Sequence, residues 1–103
     1  MANQIVTFSD GTNTIYPRRA HVNLTSSDDL NNYRDTLCAW VNNSANLPSG
    51  VPSTFGWLLV DGNGINCLQR LYVHGGQGIP RIYIRHFANS QWYAWRYITT
   101  TAI

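Results

Sequence analysis

Lysine and glutamate are missing altogether from the 103 residues. All seven basic side chains are arginine and all five acidic ones aspartate, which leaves a net charge of +2 and a charged fraction of only 12%. That fraction is half the roughly 25% of ordinary globular domains. Lys and Glu are strong surface-helix formers, so their absence excludes a helical bundle or a coiled coil. No apolar run approaches the roughly 18 residues of a membrane-spanning helix. The longest, Gly56-Trp-Leu-Leu-Val60, is of strand length, and no membrane insertion is expected. Met1-Ala-Asn-Gln-Ile-Val6 lacks a basic region followed by a hydrophobic stretch, so no signal peptide is expected. Two cysteines, Cys38 and Cys67, are too few for a zinc site. Their spacing fits a disulfide or two buried thiols, and reduced, buried thiols are the expectation.

What fills the space is Asn, Thr, Ser and Gly, with four Trp, six Tyr and three Phe. The composition is that of a β-rich domain with a polar, uncharged surface, and the length allows one domain with a modest core. The segment 4–8 has β character, and Asp10-Gly11 between it and Thr14-Ile-Tyr16 signals a hairpin turning at 9–13. Hydroxyls three residues ahead of carboxylates at 25–29 predict one short helix over about 27–34. Strands follow at 36–41, 55–60, 65–73, 81–87 and 92–98, with further hairpin turns at 61–64 and 88–91. In the first of these, Leu37, Ala39 and Val41 share one face; in 81–87, Arg81, Tyr83, Arg85 and Phe87 do. Loop 42–54 is long for a compact domain, a length that points to function.

The chemistry is that of a binder rather than a catalyst. His21, His74 and His86 are scattered without metal-ligand spacing, and the aspartates fall in turns or at a helix start, except Asp35. No carboxylate pair, nucleophile elbow or phosphate loop is present, so no enzymatic activity, no metal and no cofactor are expected. Arg and aromatics interleave at 81–97 as in single-strand binders. A charge of +2 nevertheless supplies little counterion release, and no nucleic-acid partner is expected. Carbohydrate fits better, because sugars present apolar C–H faces and hydroxyl rims to rings and amides.

Asp29-Leu-Asn-Asn-Tyr33, Cys38-Ala-Trp40, Asn46-Leu-Pro48, Phe55-Gly-Trp-Leu-Leu-Val60, Cys67-Leu-Gln-Arg70, Tyr83-Ile-Arg85 and Trp92-Tyr-Ala-Trp95 follow one another in that order. This series resembles the knob-type domains of bacteriophage tail fibres and R-type pyocin fibres. Their pattern runs from "DLN" through "N-x-P", "L-x-V" and a Gln strand to "Y-x-R" and "W-x-x-W". The likeness spans about residues 28–98. Residues 7–17 are similar to the "DGTNTIYP" segment that precedes such domains. The chain departs from the pattern at Asp35-Thr-Leu-Cys38, where the family has "G-x-Y", and at Ser90, where its "N-G-x-W" turn has Gly.

The resemblance implies a small, mainly β, antiparallel sandwich-like knob (25–103) with one short helix, preceded by an N-terminal β-hairpin and connector (1–24) for oligomerisation or attachment. It also implies a homotrimer made in the bacterial host cytoplasm and assembled into the virion with other tail or fibre proteins. That trimer would bind a host cell-surface glycan or other receptor. The alternative is a non-enzymatic structural virion protein, a head fibre or decoration module with the same knob. Trp92, Trp95, Tyr83 and Arg85 are expected to be structural, with Trp92 and Trp95, three apart on one strand, pointing to opposite faces. Ligand contacts are expected at Asn43, Asn46, His74, Gln77 and Asn89, on loops or strand ends. The hairpin at 3–17 is expected to contribute to the trimer interface.

Overall fold

The computed structural model describes Phe8–Ser9, Thr14–Ile15, residues 21–75 and residues 78–103. Strands β1 (Phe8–Ser9) and β2 (Thr14–Ile15) pair antiparallel as the expected hairpin; its turn, 10–13, lies outside the described residues. The remaining strands are β3 (Val22–Leu24), β4 (Asp35–Asn42), β5 (Phe55–Asn63), β6 (Cys67–His74), β7 (Pro80–Ala88), β8 (Gln91–Trp92) and β9 (Arg96–Ile98). They form one open sheet in the order β3-β4-β5-β6-β7, with β8 and β9 both pairing with β7.

The protein is mainly β, as its composition requires, but it is not an antiparallel sandwich. Strand β3 runs parallel to β4, with Val22 opposite Ala39 and Leu24 opposite Val41, so the sheet is mixed. A parallel pair needs a crossover of about a dozen residues, and here residues 25–34 provide it. That crossover, together with loop 43–54, lies over one face of the sheet and takes the place of a second sheet. The two segments are zipped to each other: Ala45 N–H donates to the Asp28 carbonyl at 2.9 Å, and Leu30 N–H to the Ala45 carbonyl at 3.1 Å. Beneath them lies the core of Leu24, Ala39, Val41, Leu58, Val60 and Leu71, each no more than 1% exposed. Leu30, Leu47 and Val51 cap it from the loop side.

The expected helix over 27–34 shrinks to a single 3-10 turn, Leu30–Asn32. Asp29 caps it through Asn31 N–H at 2.8 Å, but Tyr33 is already extended, and one apolar residue, Leu30, faces the core. A longer helix would need an apolar stripe that this segment lacks.

The turn expected at 61–64 is displaced to 64–66. Strand β5 continues through Asp61 and Gly62, which pair with Leu68 and Cys67. Asn63 turns the chain instead, its Oδ1 accepting from the N–H groups of Ile65 at 3.0 Å and Asn66 at 2.8 Å. The 88–91 turn is a two-residue loop between the Ala88–Gln91 pair, with Asn89 at φ 54° and Ser90 at φ 62°. Two positive φ angles are the signature of the turn that suits the twist of a hairpin. Ser90 therefore occupies a left-handed position where the related pattern has Gly. Relieving it costs some unfolded-state entropy, so Ser90→Gly is expected to stabilise the fold by about 0.5 kcal/mol, read as an upward shift of the urea midpoint at unchanged slope.

Cys38 and Cys67 are both free thiols. Cys67 is buried on the core face, while Cys38 is half-buried on the opposite face and is not a core residue as expected. Side chains alternate across a strand, so the sheet itself separates the two sulfurs and no intrachain disulfide can form.

Candidate functional site

Strand β7 places Arg81, Tyr83, Arg85 and Phe87 on the core face, as its alternation predicts, and Arg85 is only 6% exposed. A buried guanidinium demands partners. Its Nε donates to Gln69 Oε1 at 2.9 Å, and its carbon lies 3.8 Å from the Trp92 ring centroid and 4.5 Å from that of Trp95. Among the described residues no carboxylate forms an ion pair with it, and the ion pair found there is Arg70–Asp61, at 2.9 Å on the other side of the sheet. Burial pushes the Arg85 pKa down to about 10, which leaves it charged at neutral pH. Its Nη2 is buried without a hydrogen-bond partner among the described residues, so the indole faces serve as its acceptors.

Gln69, wholly buried on β6 directly opposite Arg85, carries the network outward. Its Nε2 donates to the carbonyls of Leu30 and Tyr33, each at 2.8 Å, fastening the crossover to the sheet. The indole N–H groups do the same at two further points. Trp92 Nε1 donates to the Asn31 carbonyl at 3.3 Å, and Trp95 Nε1 to the Asn46 carbonyl at 3.0 Å. Asn46, held at φ 66°, donates through Nδ2 to Asp29 Oδ1 at 2.7 Å.

The expectation that Trp92 and Trp95 point to opposite faces is overturned. Trp92 pairs with Phe87 and Arg96 with Ile84, so four steps along the C-terminal segment match three along β7. One extra residue between β8 and β9 makes a bulge, which shifts the alternation and brings both indoles to Arg85. Residues 93–95 belong to neither strand, so the single strand expected over 92–98 is two.

The bulge also shapes a cleft of about 340 Å³ lined by Pro48, Ser49, Tyr83, Ala94, Trp95 and Tyr97. Tyr83 and Tyr97 stand 5.7 Å apart at 41°, and Tyr97 is 53% exposed. Trp95 bears on Arg85 and lines this cleft at once, with its indole N–H fixed to the loop. The lining side chains are uncharged and half of them aromatic, with the Ser49 hydroxyl at hand and the Tyr97 hydroxyl accepting from Arg81 Nη1 at 3.5 Å. The size falls at the lower end of small-ligand pockets, roughly 300 Å³ and above.

The residues expected to contact ligand do not converge. Asn43 lies at the head of loop 43–54, its N–H closing the loop on the Thr54 carbonyl at 2.8 Å. His74 is at the same end of the sheet, exposed opposite Pro80. Asn89 lies just past the far end of β7, about 30 Å away at roughly 3.3 Å per residue. Asn46 spends its side chain and carbonyl on the fold, and Gln77 lies outside the described residues. Ser49 and Tyr97 were missed because the bulge that brings them together leaves no mark in an alternation pattern. Compared with known proteins, the chain matches no family model, no curated protein and no solved structure.

Acid should loosen this loop layer. The Asp29 carboxyl is held below its ordinary 3.8 by the Asn46 amide and then by the Asn31 N–H. Asp28 is held below it by the Thr25 N–H and then by the Tyr33 hydroxyl. A carboxyl lowered in the folded state stabilises above its unfolded value, and that contribution is lost as pH falls through the lowered one. The urea midpoint is therefore expected to drop between about pH 5 and pH 2. The drop should be smaller in Asp29→Asn, whose amide oxygen can still cap Asn31.

Proposed function

We propose that this chain is the tip or receptor-binding module of a bacteriophage fibre, a homotrimer in the virion that attaches to a glycan on the host cell surface through the Trp95–Tyr97 cleft. Two observations support the reading. The residues that carry the resemblance to fibre knobs, Asp29, Asn46, Gln69, Arg85, Trp92 and Trp95, all meet in one hydrogen-bonded and stacked network. Beside that network lies a rigid aromatic cleft with hydroxyls at its edge. Of the two, the cleft carries the functional claim. A neutral sugar ring can lay its C–H face on Trp95 or Tyr97 while its hydroxyls meet Ser49 and the Tyr97 oxygen, and rings already held in place cost little entropy on binding. Adsorption to host cells and binding to a glycan array test it. Tyr97→Ala, at an exposed position, is expected to keep the fold and weaken binding at least tenfold, about 1.4 kcal/mol. Undiminished binding by that variant would remove the cleft from the mechanism.

The alternative, a structural head-fibre or decoration module, has one observation of its own. The Gln69 amide, the Asn46 side-chain N–H and both indole N–H groups are spent inside the fold rather than offered to a ligand. A chain that trimerises yet neither adsorbs to host cells nor retains any glycan would favour this second reading.

A further inference from the structure

We infer that the outer face of the sheet, the one opposite the crossover, is the surface through which copies of this chain associate. One row of side chains crosses five strands on that face: Trp40, Trp57, Tyr72, Ile82 and Ile98 are successive register partners. Trp40 and Trp57 meet edge to face at 5.0 Å, and His21 meets Trp57 in the same way at 5.0 Å. No charge stands in the row, yet Trp57 is 38% and Ile98 45% exposed. The next row alternates apolar residues with arginine, Leu59–Arg70–Ile84–Arg96. Aromatic residues and arginine, with lysine and glutamate depleted, are the composition of protein interfaces.

A sheet buries both of its faces or leaves one polar. Here the core face is covered by residues 25–34 and 43–54, and the outer face is the less polar of what remains. Its size decides the occupant. Five strands at about 4.8 Å and eight residues at about 3.3 Å make a patch of roughly 24 by 26 Å. That projects to about 600 Å², and side-chain relief brings it near the roughly 800 Å² per partner of a standard protein interface. A monosaccharide would cover a small part of it, whereas copies of this chain that turn the same face toward a shared axis cover it all. The assignment rests on the proposed trimer for the number of copies only; the choice of face does not depend on the glycan cleft. It moves the main interface from the N-terminal hairpin to the sheet.

Light scattering on the full chain, without any glycan, tests it. The native chain is expected to show a multiple of 11.6 kDa at micromolar concentration. Tyr72→Thr and Ile82→Thr keep strand propensity and are expected to raise the dissociation midpoint at least tenfold, while Tyr97→Ala on the other face leaves it unchanged. Hydroxyl-radical labelling of the native chain gives a readout that needs no variant: Trp57, Tyr72 and Ile98 should become more reactive on dilution, and Trp92 should not. A native monomer overturns the inference, whether its outer-face residues are freely labelled, shielded by the chain's own N-terminal segment or protected only by added glycan. Variants that fold and keep the native mass overturn it too. A dimer of the predicted face would keep the inference and refute the threefold count, and loss of glycan binding with intact assembly would refute the cleft alone.

Discussion

Gln69→Leu is expected to cost the fold about 4 kcal/mol, a large share of the roughly 5–15 kcal/mol that holds a domain together. The substitution hardly changes volume, so no cavity explains the loss. It arises from two polar groups stranded together and a third left with its weaker bond. The Tyr33 carbonyl, bonded at 2.8 Å by Gln69 Nε2, loses its donor, and the Leu30 carbonyl, bonded by it at 2.8 Å, keeps only the longer bond from Tyr33 N–H at 3.3 Å. Arg85 Nε loses its acceptor while the guanidinium stays buried. Each neutral group left unsatisfied costs about 1–3 kcal/mol, and more where the orphan is charged. Gln69→Glu separates geometry from charge. A carboxylate can accept from Arg85 but faces two carbonyl oxygens with no proton to offer, so this variant is expected to be destabilised at neutral pH and to recover partly as acid protonates it. Equal urea midpoints for Gln69→Leu and the native chain would mean that the crossover is not fastened by this side chain.

That dependence on one glutamine shows where reading residues in order succeeds and where it stops. Strands β4, β6 and β7 were legible because each alternates cleanly, and Ala39, Val41, Tyr83 and Phe87 are buried as alternation demands. Turn positions were legible only to within a few residues, since Asp61-Gly62 looks like a turn but pairs with Leu68 and Cys67. The architecture was not legible. A run such as Val22-Asn-Leu24 does not say whether it joins the sheet parallel or antiparallel, and that choice makes residues 25–34 a covering crossover. The hub was half legible: Arg85, the two tryptophans and the Gln69 motif stand out, but nothing in the order of residues says that Gln69 binds Arg85 and the crossover carbonyls. The cleft was hidden for the same reason, because it depends on a one-residue bulge.

The bulge leads to the second large effect. Trp92→Leu is expected to lower stability by about 3 kcal/mol, within the range for buried aromatics. Part of that is ordinary packing against Phe87, whose ring lies 5.1 Å from that of Trp92, and part is the hydrogen bond to the Asn31 carbonyl. The remainder is the cover over a charge. With its guanidinium carbon 3.8 Å from the Trp92 centroid and no carboxylate paired with it among the described residues, Arg85 depends on the ring for much of its compensation. A desolvated cation–π contact is worth about 2 kcal/mol. Removing the charge should then make removing the ring cheaper. Arg85→Met alone is expected to be destabilising, because Gln69 Oε1 loses its donor, yet in the Arg85→Met background Trp92→Leu should cost about 2 kcal/mol less than it does in the native chain. Urea denaturation of the four proteins in this cycle measures the coupling directly. The same cycle with Trp95, whose centroid is farther from Arg85 at 4.5 Å, should return a smaller value, since that ring also serves the cleft. If the two rings couple to Arg85 equally, or if neither does, the tryptophans pack beside the guanidinium without holding it, and the burial of a lone cation in this core would need another cause.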